Sequence, residues 1–213
     1  TIGSVNETLS WNSEGRPVAI GNARYSYDAN NVRLKKWMTN NSNKTLYLGS
    51  DMDIENGVAI KRISAAGRVI AERKNRDKYW IHTDRMGSVI RVSNSNQSTL
   101  WKRDYFPYGE EMANTGTDQT QSMLNYNGGY KDTETNLTYM NARYYDPAIA
   151  RFISPDPLST TKFVQGTNAY QYAANDPINK HDNSGLAAAQ REAGCYQDST
   201  GFVYCWDPVL QDN

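Results

Sequence analysis

Short strand-like runs separated by tight turns recur along this chain, and that rhythm constrains its fold more than any other feature. Residues 58–64 (VAIKRIS) and 68–74 (RVIAERK) flank Ala65-Ala66-Gly67, directly after the turn signal Asn56-Gly57. Residues 79–83 (YWIHT) and 88–94 (SVIRVSN) flank Asp84-Arg85-Met86-Gly87. Residues 99–109 (TLWKRDYFPYG) continue the habit. Strand signals thus recur at short, fairly regular intervals. Little helical periodicity lies between them. The expectation is an all-β fold, a repetitive antiparallel sheet of β-hairpins rather than alternating α/β.

A few segments break the rhythm. Residues 110–124 (EEMANTGTDQTQSML) are polar and are expected to form a loop. NAYQYAAN, residues 168–175, is expected to be a short helix that stops before Asp176-Pro177. AAAQREAG, residues 187–194, carries a second helix signal that ends at Gly194. The final run CYQDSTGFVYC reads as a small hairpin in which Cys195 and Cys205 can face each other. A disulfide between them is expected in an oxidising compartment, less so in a reducing one.

Composition says where the core comes from. The 213 residues suffice for one sizeable domain or two small ones, yet only 38% are hydrophobic. The 15 tyrosines must therefore carry much of the interior, each with a hydroxyl that needs a partner. Lys+Arg and Asp+Glu both number 23, so no net field steers the chain toward nucleic acid or an anionic membrane. The basic run KRISAAGRVIAERKNRDK alternates its charges along a hairpin and reads as a solvated face. No run approaches the roughly 20 apolar residues of a membrane-spanning helix. The two histidines, His82 and His181, match no zinc-ligand spacing with the cysteines, and no phosphate-cradling glycine loop is present. No cofactor or metal is expected. The chain opens without an initiating Met or a leader and reads as a piece of a longer polypeptide.

Several ordered motifs carry a family resemblance. GRPVAIGNARYSYDANNVRLKKW resembles an RHS or YD repeat, through Gly15-Arg16, Tyr25-Ser26-Tyr27-Asp28 and Arg33. Asn30-Asn31 stand where the repeat carries a turn glycine, and Asn tolerates left-handed backbone. YWIHTDRMGSVIRVSNSN and RDYFPYGE are similar to segments near the end of such arrays. LTYMNARYYDPAIARFISPDPL, NAYQYAANDPIN and HDNSGL together resemble the RHS repeat-associated core domain. The likeness runs from about residue 15 to 186. It divides the chain into RHS/YD hairpins over 1–124, a core domain over 125–186 and a variable segment over 187–213.

The resemblance implies a hollow β-shell whose end the core domain closes. It also implies that the core cuts the chain just beyond itself and that the downstream segment, often a toxin, is held inside. Tc-toxin C subunits and Rhs polymorphic toxins are family examples; teneurins carry a related shell used in adhesion. Partners would be the rest of the same shell, the C-terminal payload, and a secretion or Tc-type component. The product would be secreted or delivered to a target cell.

Four of the seven prolines follow an aspartate, and the ordinary use of Asp-Pro is to start a turn. Asp146 and Asp176 are read that way. By position, Asp156 and Asp182 match the family's self-cleaving pair, and Leu186-Ala187 matches its scissile bond. The implied chemistry is that of aspartic peptidases, in which two adjacent carboxylates share a proton and split the roles of base and acid. Arg151 and Arg143 are candidates to orient them; the competing use of either is stacking on Tyr144, Tyr145 or Phe152. Asn183 replaces the family's proline after the second aspartate, and TTKFVQGT lengthens the stretch between the pair. The alternative is a scaffold or adhesion module of the same fold that does not cleave.

Overall fold

A computed structural model describes residues 7–116, 122–157 and 168–186, together with the backbone of 189–190, 195–197 and 203–205. A single antiparallel meander opens with β1 (Leu9–Trp11), β2 (Pro17–Ile20), β3 (Ala23–Tyr27), β4 (Arg33–Met38), β5 (Thr45–Tyr47) and β6 (Met52–Glu55). It continues with β7 (Val58–Ala65), β8 (Arg68–Lys74), β9 (Asp77–Thr83), β10 (Val89–Asn94), β11 (Thr99–Tyr105) and β12 (Glu111–Gly116). The twelve strands pair strictly in chain order. A second sheet holds β13 (Tyr130–Asp132), β14 (Leu137–Met140), β15 (Arg143–Asp146) and β16 (Arg151–Phe152), again in order. Two short pairs follow, β17 (Lys180–His181) with β18 (Ala189–Gln190), and β19 (Cys195–Gln197) with β20 (Val203–Cys205). The all-β expectation holds. No helix among the described residues is long and apolar enough to cross a membrane.

The turns explain why the meander closes so tightly. Asp28 caps one by accepting from Asn30 N and Val32 N, and Asn31 sits left-handed at φ 63°. Asp84 does the same for Met86 N and Ser88 N. Asn56 and Gly57 both have positive φ, as the β6–β7 turn requires.

Two expectations fail, and a third fails over the two residues where it can be followed. Residues 111–116, expected in a loop, form the edge strand β12; its backbone pairs with β11, which needs no apolar side chains on an exposed edge. Ala173–Asn175, expected within a helix, form a single 3-10 turn in left-handed backbone, at φ 48°, 52° and 60°. The alanines looked helical, but the turn closes through Asn175 N to Tyr172 O and Asp176 N to Ala173 O. Of the second expected helix, Ala189–Gln190 form a strand opposite Lys180–His181; the remainder lies outside the described residues. Cys195 and Cys205 are register partners in the last hairpin. Their side chains, and with them the disulfide, lie outside the described residues.

Tyrosines dominate the interior, as the composition demanded. Ile20, Ala23 and Tyr25 of the large sheet pack against Leu137, Tyr139 and Tyr144 of the small one and against Ile153 just after β16. Tyr126, Met140, Tyr145, Phe152, Tyr172 and Ala173 form a second cluster. Val89, Val92, Ile81, Trp101 and Leu124 form a third. Burial pushes the Tyr126 hydroxyl up to about 12, so it remains a neutral donor. It donates to the Pro107 carbonyl at 2.6 Å.

Buried charges pin the two sheets together. The Arg33 side chain is fully buried; its Nη1 donates to Asp132 Oδ2 at 2.7 Å and to Tyr144 Oη at 3.2 Å. Its guanidinium lies 4.1 Å from the Tyr139 ring centre and 4.3 Å from that of Tyr47. Lys36 Nζ reaches Asp132 Oδ1 at 3.0 Å and Glu134 Oε1 at 2.9 Å. The arginine that marks the repeat in the sequence is therefore the bolt between the sheet and the core.

Candidate functional site

The site forms where the β14–β15 hairpin meets the segment 182–186. Met140 pairs with Arg143, so only Asn141 and Ala142 make the turn, and Asn141 takes φ 51°. That turn grips the segment. Ala142 N donates to the Ser184 carbonyl at 3.0 Å, and Asn141 Nδ2 to the Asn183 carbonyl at 3.0 Å. Asn183 is thus held to the hairpin turn through its carbonyl.

Arg143 is the centre of the arrangement. It is 2% exposed, and its guanidinium lies 3.6 Å from the Phe152 ring centre. Nε donates to the Gly185 carbonyl, and Nη1 to the Ala169 carbonyl at 3.0 Å. Nη2 reaches Asp182 Oδ2 at 3.2 Å and Asp156 Oδ2 at 3.2 Å. One nitrogen therefore brings two carboxylates together from separate segments. Burial pulls the Arg143 pKa down, and the charges of Asp156 and Asp182 oppose that pull.

The two acids are held differently. Asp182 is 1% exposed; its Oδ1 accepts from Ser184 Oγ at 3.1 Å and from Leu186 N at 3.2 Å. Asp156 is 6% exposed, and its backbone N–H donates to the Ala169 carbonyl at 2.9 Å. Leu186 is partly exposed and Ala187 lies outside the described residues. Beside them, burial lowers the His181 pKa, which Asp182 raises and Arg68 lowers further.

Gly185 makes the close approach possible. It adopts φ 68°, and a Cβ there would run into the Met140 carbonyl oxygen and lie 2.9 Å from Arg143 N. Both obstacles are backbone and cannot swing aside. Gly185→Ala should displace the segment from Arg143 and lower stability by about 1–2 kcal/mol. The unfolding midpoint in urea measures it, and an unchanged midpoint would show that the segment yields freely.

Of the residues singled out from the sequence, Asp182 accepts from Leu186 N, and Asp156 shares Arg143 Nη2 with Asp182. Arg151 does not join them: it is exposed on β16, opposite Asp146 and bridged to Gln171. Arg143 takes the place expected of it, and both uses weighed for an arginine here, carboxylate pairing and aromatic stacking, apply to Arg143 at once. Arg143 begins β15, a strand in which all four residues are buried, whereas Arg151 begins β16 on its exposed side. The carbonyls of Gly185 and Ala169 and the Ser184 hydroxyl gave no signal in the sequence. Asp146 is a turn residue, accepting from Ala148 N at 3.0 Å. Among the described residues no cluster of three or more His, Cys, Asp or Glu side chains is placed to hold a metal ion.

The chain is similar to several known proteins. It is 28% identical to toxin subunit YenC1 of Yersinia entomophaga, over 85% of this chain and 22% of that protein. It is 29% identical to the tRNA3(Ser)-specific nuclease WapA of Bacillus spizizenii, over 84% of this chain and 8% of the relative. It is 35% identical to double-stranded DNA deaminase toxin A of Burkholderia cenocepacia, over 57% of this chain and 8% of that toxin. The chain thus spans less than a quarter of each. Among solved structures, the TcdB2-TccC3-Cdc42 crystal structure superposes with a TM-score of 0.74 at 21% identity, over 84% of this chain and 10% of that one. The Photorhabdus luminescens Tc holotoxin pore gives 0.75 at 20% identity, over 86% and 10%. These two likenesses establish the fold. A family model, the Teneurin YD-shell, matches residues 64–178, more than half of the sequence. With strands that meander in chain order, an array arginine bolted to the core and that match, this chain belongs to the Teneurin YD-shell family.

Proposed function

We propose that this chain is the closing end of an RHS/YD shell that cuts its own backbone after Leu186 and so frees a C-terminal cargo from covalent attachment. One observation carries the reading. Arg143 holds Asp156, Asp182 and the Gly185 carbonyl with a single guanidinium, so the two acids and the peptide preceding the scissile bond share one anchor.

The chemistry needs no cofactor. One carboxylate takes a proton from a water as the water oxygen attacks the Leu186 carbonyl carbon. The other, protonated, steadies the developing oxyanion and then gives its proton to the Ala187 nitrogen as the C–N bond breaks. The products are a Leu186 carboxylate and an Ala187 amine. Arg143 is assigned the orienting role in place of Arg151. Because the target is tethered four residues beyond Asp182, positioning is intramolecular and no separate substrate pocket is required. Relatives named as a toxin subunit, a nuclease and a deaminase toxin are compatible with a toxic cargo downstream. Secretion, delivery to a target cell and a Tc-type partner belong to the same proposal.

The test is the intact mass of the full-length parent protein. Two chains are expected, the second beginning at Ala187 by N-terminal sequencing. A folded parent that stays one chain overturns the reading and leaves a scaffold that does not cleave.

A further inference from the structure

The chain turns back on itself across the proposed cut. β17 (Lys180–His181) ends at the residue before Asp182, and β18 (Ala189–Gln190) begins three residues after Leu186. The two pair antiparallel, Lys180 opposite Gln190 and His181 opposite Ala189. Along the sequence, the Leu186-Ala187 bond therefore lies between two strands that are paired with each other.

The register says which backbone groups do the holding. In an antiparallel ladder, opposed residues alternate between pairs that exchange both hydrogen bonds and pairs that exchange none. The Lys180 N–H is already spent, donated to the Asp176 carbonyl at 2.9 Å. The bonded pair is therefore His181 with Ala189, and the Gln190 N–H points away from β17. β17 is anchored from its other end as well, since Asn179 Nδ2 donates to Asp176 Oδ1 at 3.0 Å.

Ahead of the bond, the chain is gripped through the Asn183, Ser184 and Gly185 carbonyls and the Leu186 N–H. Those contacts fix the acyl side. The His181–Ala189 pair fixes the amine side, and it does so from the residue next to Asp182.

We propose that β17 is a docking strand for the chain beyond the cut: the His181 backbone holds Ala189 in extended form, so that the Leu186-Ala187 bond is held from both sides beside Asp182. This rests on the self-cleavage reading. Backbone pairing reads no side chain; what it excludes is proline at 189, where the N–H is required.

The experiment uses the full-length parent made by cell-free translation. Fragment appearance is followed as a first-order rate, and fragment mass gives the bond cut. Ala189→Pro removes the N–H that meets β17 and is expected to slow cleavage by at least about tenfold. Gln190→Pro removes an N–H that points away and should slow it by less than about threefold. Lactic acid in place of Ala189 exchanges only the N–H for an ester oxygen and should slow cleavage about threefold to tenfold. That replacement decides the matter if the proline ring itself disturbs the segment. Equal slowing by the two prolines, or a rate unchanged by lactic acid at 189, overturns the docking strand while leaving self-cleavage standing. A folded wild-type parent that never cuts removes both.

Discussion

The full-length parent carrying Asp182→Asn is expected to remain a single chain under conditions in which the wild type has cut completely. Asn keeps the volume of Asp182 and can still accept from Leu186 N and Ser184 Oγ through its amide oxygen. Its amide nitrogen would then face Arg143 Nη2, donor against donor, where a carboxylate oxygen stood. The variant thus loses both a proton-transfer group and its hold on Arg143. Asp156→Asn should give the same result, while leaving Arg143 its carbonyl partners at Gly185 and Ala169. Each change should slow cleavage roughly 10³- to 10⁴-fold, and the double variant should be little worse than either single one, since the pair acts as a unit. Intact mass reads the outcome, and tryptophan fluorescence shows whether each variant has folded. Uncut singles that fold support the aspartate pair; cleavage by a folded Asp156→Asn would remove Asp156 from the chemistry.

How far the sequence spoke depended on the range of the interaction. Hairpins were legible because turn residues are local: Asn56-Gly57, Asp84 and Gly87 each dictate backbone within a few positions. β12 was not legible, because an edge strand held by the β11 backbone needs no apolar pattern. The left-handed turn at Ala173–Asn175 was misread for the opposite reason, since two alanines favour a helix unless distant groups such as Tyr108 hold the backbone elsewhere. Asp156 and Asp182 could be paired only through the family resemblance. Nothing local to either announces the other, because the link runs through Arg143 and the Ala169 carbonyl. The choice between Arg143 and Arg151 turned on which faces inward, and a two-residue strand such as Arg151–Phe152 carries too little pattern to say.

Asp132→Ala carries the largest expected loss of stability. Among the described residues, the substitution strips the only carboxylate from Arg33, whose side chain is fully buried, and one of two from Lys36. A buried charge deprived of its partner costs about 3–5 kcal/mol. The lower end is expected here, because Lys36 keeps Glu134 and Arg33 keeps the Tyr144 hydroxyl and the flanking faces of Tyr47 and Tyr139. For a chain of this length the midpoint of thermal unfolding should fall by roughly 6–12 °C. Glu134→Ala, at the partly exposed end of the same network, should cost under about 1 kcal/mol. The decisive comparison adds Arg33→Met to Asp132→Leu. If the ion pair is the bolt, the double variant should lose much less than the two singles added together, because no charge is left stranded in the core. A loss below about 1 kcal/mol for Asp132→Ala would mean instead that the tyrosine rings alone hold the guanidinium, and that the sheet and the core are joined by aromatic packing rather than by charge.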